Sequence, residues 1–155
     1  MVDTPEPTMP TLPLATELGH RLLARGWHAT CAESCTGGGV AAAITDVAGS
    51  SRWFETGFVT YANSAKERLL GVKGETLDAH GAVSEQVVRE MALGALRAAG
   101  ADVAVSISGI AGPDGGSVDK PVGTVWFAWA TATDLETHCH HFSGDRRAVR
   151  QQAVV

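Results

Sequence analysis

Leu14, Leu18, Leu22 and Leu23 recur along one helical face and Gly26 stands where that helix would close, so the pattern predicts a first amphipathic helix beginning near Leu14. His28 to Ala32 is short enough for a strand. Thr36 to Val47 is small and apolar, which predicts a buried helix that opens at a glycine-rich turn and ends at Gly49-Ser50-Ser51. Phe58 to Tyr61 is β-prone, and a helix is expected over Asn63 to Leu70, closed by Gly71. Ser84 is placed to cap a helix running to Ala99, with Gly100 beyond it, although Val87 stands where a full capping box has Glu or Gln. Asp102 to Ile110 alternates apolar and small polar residues as a strand does, and Thr124 to Thr131 is a continuous β-prone run. Glu136 to Phe142 is its expected hairpin partner, and Asp145 to Val155 opens a last helix. Helices alternating with strands indicate an α/β layered domain with a mixed sheet, and no internal repeat breaks the order.

The 155 residues fit one domain, with a boundary after residue 13: four of the six prolines lie in Met1 to Pro13, which is expected to be an extended or disordered lead-in. With 45% hydrophobic and 19% charged residues the chain lies outside the regime of disorder, and a net charge of −5 argues against a nucleic-acid binder with a broad basic surface. A small-molecule partner fits better. Cys31, Cys35 and Cys139 are an odd set without a CxxC pair, so neither a disulfide framework nor a zinc site is expected, and a reducing, cytoplasmic compartment fits. No positively charged leader joins an apolar run at the N-terminus, and no stretch approaches the roughly 20 apolar residues of a membrane span.

The chemistry concentrates at "ESCTGGG", residues 33 to 39, which follows the first strand. A turn of this kind presents backbone amides at a helix N-terminus and suits an anion or oxyanion; the plainer reading is a tight turn capped by Ser34 or Thr36. The adjacent glycines and the absence of a following Lys exclude both the dinucleotide fingerprint and the P-loop. Cys35 lacks a histidine in any recognisable pairing, so a small buried packing residue is its simpler role. Ser34 needs a base, and a desolvated lysine can serve. Of the three lysines, Lys66 lies five residues after Tyr61, at the start of a helix, where it either faces inward or is solvated. The long loop from Gly109 to Gly123 is a candidate lid, and Arg146, Arg147 and Arg150 offer anion ligands or a solvated basic face. His138, His140 and His141 lack neighbouring carboxylates and are not expected to hold a metal.

"AESCTGG", "GSSRWFETGFVTYANSAKERLLGV", "HGAVSEQVVREMA", "SISGIAGPDGGSVDKPVGTVWFA" and "FSGDRRAVR", in that order, closely resemble the CinA C-terminal domain family, from about Leu14 to Arg150. Stand-alone members are nicotinamide-nucleotide amidases, so the resemblance implies hydrolysis of nicotinamide mononucleotide to nicotinate mononucleotide and ammonia, in pyridine-nucleotide recycling. It also implies a three-layer α/β/α sandwich with a mixed, mostly parallel sheet, a homodimer, and a metal-free, cofactor-free catalytic set of Ser34, Tyr61 and Lys66. Backbone amides from Thr36 through Gly37 to Gly38 would hold the oxyanion. Arg146, with Asn63, Ser108 and Gly109 as further candidates, would bind phosphate or ribose. Relatives usually continue the last helix beyond "RQQAVV". The rival readings are a cysteine amidase using Cys35 with Glu33 and Lys66, and a nucleotide-binding or interaction module without catalysis.

Overall fold

The computed structural model describes residues 11–155, in the order α1 (Thr11–Arg25), β1 (Ala29–Glu33), α2 (Gly39–Thr45), β2 (Phe58–Val59), α3 (Asn63–Leu70), α4 (Gly74–His80), α5 (Glu85–Ala99), β3 (Val103–Gly109), β4 (Thr124–Thr131), β5 (Leu135–His141) and α6 (Arg146–Val154). Thr11, Leu12 and Pro13 are helical, because proline is tolerated in a first turn whose amides have no intrahelical partner. The expected lead-in therefore loses its last three residues to α1, and the rest lies outside the described residues. The buried helix expected from Thr36 is shorter, since the glycine-rich turn runs to Gly38, and the β-prone run ending at Tyr61 yields a two-residue strand.

One five-stranded sheet runs in the order β2-β1-β3-β4-β5. β1 pairs in parallel with β2 and with β3, whereas β3–β4 and β4–β5 are antiparallel. The sheet is thus mixed, with four strands running one way and β4 alone reversed: a loop and a hairpin carry the chain from β3 to β5 without a crossover helix, and each such short return reverses the strand direction.

Alternation along the strands sorts the two faces. Ala32, Ala104, Ala128 and Ala130 pack with Val87, Val88, Met91, Ala92 and Ala95 of α5 in one buried cluster. Their small side chains bring α5 close to the strands, and the buried Ser106 hydroxyl donates to the Val88 carbonyl at 2.6 Å. On the opposite face Ile107, Val125 and Phe127 pack with Val149 and Ala153 of α6, and Ala29 packs with Leu22 of α1 and Ile44 of α2. Helices on both faces make the three layers. Ser84 caps α5 as expected, its hydroxyl accepting from the Val87 amide at 3.3 Å.

α3 lies against α5, and the contact passes through Gly94, where an added Cβ would sit 1.8 Å from the Leu70 carbonyl oxygen at the end of α3. Glycine in mid-helix costs about 1 kcal/mol relative to alanine, but here the backbone-to-backbone collision outweighs that gain. Gly94→Ala is expected to destabilise the fold by about 1–3 kcal/mol, as overpacking does, and to displace α3 with the lysine it carries. Thermal denaturation and the turnover number check the two effects separately.

Candidate active site

The carboxyl ends of β1, β2 and β3 lie side by side, and the chain leaving each contributes to one cleft of about 280 Å³. Parallel strands that release their chains at one edge leave such a crevice. Ser34 and Cys35 follow β1, Tyr61 follows β2, and Ser108 and Gly109 close β3; Asn63 and Lys66 of α3, Ala82 and Val83 ahead of α5, Ile110, Ala111, Gly112, Asp114 and Gly115 of the long loop, and Arg146 complete the lining.

Lys66 is 1% exposed, one of the largest fully buried side chains among the described residues. Its Nζ lies 2.8 Å from the Thr60 carbonyl oxygen, 3.2 Å from that of Tyr61 and 3.1 Å from Ser34 Oγ. Burial pushes its pKa down from 10.5 to about 8, with Cys35 opposing slightly. A neutral amine has two N–H bonds and one lone pair. Two carbonyls take the two N–H bonds, which leaves the lone pair for the Ser34 hydroxyl. Of the two sequence readings of Lys66, inward-facing and solvated, the inward one describes the structure.

Glu33 is fully buried on the other side of the turn. Its Oε1 accepts from the Thr36 hydroxyl at 2.6 Å and the Val40 amide at 2.8 Å, and Oε2 accepts from the Ala41 amide at 3.1 Å. The anion expected at this helix mouth is therefore the protein's own carboxylate, held by the first turn of α2. Thr36, Gly37 and Gly38 do not line the cleft; the Gly37 amide donates to the Ser34 carbonyl at 3.0 Å, and positive φ at Gly37 and Gly38 lets the chain double back into α2. Glu33→Gln replaces an acceptor-only group with one that carries its own donors, and is expected to cost about 1.5–3 kcal/mol as the loss of a charged hydrogen-bond partner, read by denaturant unfolding.

Cys35 lies in the α6-side core, and burial pushes its thiol up to about 11, so the thiolate is scarce at neutral pH. Glu33 points into α2 and makes no hydrogen bond to the Cys35 thiol among the described residues, and its charge helps to push that thiol up rather than activate it. The cysteine–glutamate arrangement is absent.

Tyr61 is 62% exposed and meets Lys66 only through its carbonyl. Its hydroxyl instead lies 3.1 Å from Arg146 Nη2, while Arg146 Nη1 donates to the Gly112 carbonyl at 2.8 Å. The structure therefore pairs Ser34 directly with Lys66 and sets Tyr61 beside Arg146 at the rim. Ser108 is 1% exposed at the end of β3, and Asn63 opens α3 at the cleft wall. Among the described residues no group of His, Cys, Asp and Glu is arranged to hold a metal. Arg150, which the sequence left undistinguished from Arg146 and Arg147, donates from Nε to the Cys35 carbonyl at 3.0 Å and from Nη2 to that of Thr36 at 3.4 Å.

The profile of the CinA C-terminal domain matches residues 11–155. The chain belongs to the CinA C-terminal domain family. A curated member, nicotinamide-nucleotide amidohydrolase PncC of Enterobacter agglomerans, is 66% identical over 143 residues, covering 92% of this chain and 87% of that protein. Its namesake from Pseudomonas putida is 53% identical, covering 94% and 91%. The crystal structure of the competence/damage inducible protein CihA from Agrobacterium tumefaciens superposes with a TM-score of 0.91 at 41% identity, covering 96% of this chain and 93% of that one. Like those relatives, this CinA-family chain has the mixed sheet between helical layers, and no described helix is long and apolar enough to cross a membrane.

Proposed function

We propose that this chain hydrolyses the carboxamide of nicotinamide mononucleotide, giving nicotinate mononucleotide and ammonia. The observation that carries the reading is the buried Lys66 amine, stripped of solvent and aimed at Ser34 Oγ. Supporting it are the amidohydrolase names of the 66% and 53% identical relatives.

As Ser34 Oγ attacks the carboxamide carbon, the Lys66 lone pair takes the hydroxyl proton. The Lys66 ammonium then passes that proton to the departing nitrogen, which leaves as ammonia, and an ester on Ser34 remains. Water attacks the ester with Lys66 again as base, releasing the carboxylate and restoring the serine. The Cys35 amide, next to the nucleophile and without a hydrogen-bond partner among the described residues, is the first donor for the oxyanion. Arg146, hydrogen-bonded to Tyr61 at the rim, offers its guanidinium to the phosphate.

A binding module without catalysis has no use for a buried lysine, which costs stability in its charged form. Purified protein incubated with nicotinamide mononucleotide should release ammonia and nicotinate mononucleotide in equal amounts; binding without release contradicts the enzyme reading. A homodimer belongs to the same proposal, and Leu14, Leu18 and Trp129, exposed along one apolar groove, give it a surface. Light scattering that returns the 16.1 kDa of one chain would contradict it.

A further inference from the structure

We propose that Arg150 is a positioning residue that holds the nucleophile turn from behind, so that the Cys35 amide beside Ser34 stays directed at the oxyanion. The inference rests on Ser34 being the nucleophile.

Three consecutive carbonyls of this turn are engaged. Ser34 O accepts from the Gly37 amide at 3.0 Å, Cys35 O accepts from Arg150 Nε, and Thr36 O accepts from both Arg150 Nη2 and the Gly39 amide. In a trans peptide the C=O and the following N–H point in opposite directions. Fixing the Ser34 carbonyl therefore fixes the direction of the Cys35 N–H, which donates to no other residue among the described ones, and Arg150 on the Cys35 carbonyl holds the far side of the same residue.

The side from which Arg150 approaches separates it from Arg146. Arg150 lines an adjoining cavity with Pro113, Val122 and Asp145 and does not line the Ser34 cleft, whereas Arg146 lines both. Its Nε and Nη2 already donate to protein carbonyls. A guanidinium on the Thr36 carbonyl also polarises that peptide group, whose N–H, on Gly37, is the donor that holds the Ser34 carbonyl and with it the Cys35 N–H. α6 supplies the rigid mount, since Val149 and Ala153, flanking Arg150, are buried against the sheet. An interaction that matters when charge develops on the substrate oxygen lowers kcat and leaves KM alone when removed.

The test compares Arg150→Gln and Arg150→Lys with wild type in two assays: ammonia release from nicotinamide mononucleotide, and the rate at which a fluorophosphonate labels Ser34, followed by intact mass. Arg150→Gln is expected to lower kcat by roughly 10²–10³-fold, the scale of one oxyanion donor, with KM within about twofold. Labelling should slow in the same variant, and Arg150→Lys, which keeps one charged donor, should recover part of both rates. A raised KM with kcat preserved would make Arg150 a substrate ligand and overturn the proposal. So would unchanged labelling, or equal losses in both variants that follow a loss of near-ultraviolet circular dichroism. If wild type labels at Ser34 in an Arg150-dependent way yet releases no ammonia, the substrate reading falls and this inference stands.

Discussion

Ser34→Ala is expected to abolish ammonia release, lowering kcat by roughly 10⁴–10⁶-fold while KM stays within about twofold. In the proposed mechanism the hydroxyl forms the acyl bond, and neither neighbouring side chain is placed to take over. Cys35 is held as a thiol with its pKa pushed up to about 11, and the Thr36 hydroxyl is committed to the Glu33 carboxylate at 2.6 Å. The substitution should leave the fold intact, because Ser34 Oγ has Lys66 as its one hydrogen-bond partner among the described residues. The phosphate contact proposed for Arg146 lies outside the change, which is why KM should hold. Steady-state kinetics with near- and far-ultraviolet circular dichroism would check both halves.

Lys66→Met is expected to be nearly as damaging, and the double variant with Ser34→Ala no worse than either single one, because a nucleophile and its base act as one unit. Methionine keeps the length and apolar character of the lysine stem while removing the lone pair. The same change alters how stability depends on pH. Folding lowers the Lys66 pKa from 10.5 to about 8, so between those values the unfolded chain binds the proton that the native chain has released. Stability contributed by this group therefore rises with pH across that window, and the cost of the buried ammonium is fully present below about pH 8. Wild type should gain stability relative to Lys66→Met between pH 8 and pH 10, measured by denaturant unfolding. A constant difference would contradict the depressed pKa.

The fold was legible where periodicity was strong and glycines marked the ends. α3 and α5 close at Gly71 and Gly100 as the sequence predicts. α4 was not legible, because Gly74–His80 buries only Leu77 and a single apolar position carries no period. The reversal of β4 follows from the connections, which are short on the β3–β5 side. At the site, asking which base could serve the serine leads to the lysines, and the family resemblance supplies the pairing of Ser34 with Lys66. The hydrogen bonds of the Tyr61 hydroxyl and the Glu33 carboxylate were not legible for one reason: sequence spacing gives the strand end but not the face. With β1 reaching Glu33, that residue points to the α2 side and into the amides of Val40 and Ala41, a signal available only once the strand register is known. Arg150 acts across more than a hundred residues on backbone carbonyls, which no side-chain motif records.

The central claim is that Lys66 works as a neutral base on Ser34, and the pH dependence of kcat/KM for wild type tests it most directly. The free-enzyme profile should rise with pH and level off above an apparent pKa near 8, as the ammonium form gives way to the amine. A profile that is flat from pH 6 to about pH 10, or that falls as pH passes through 8, would contradict the account.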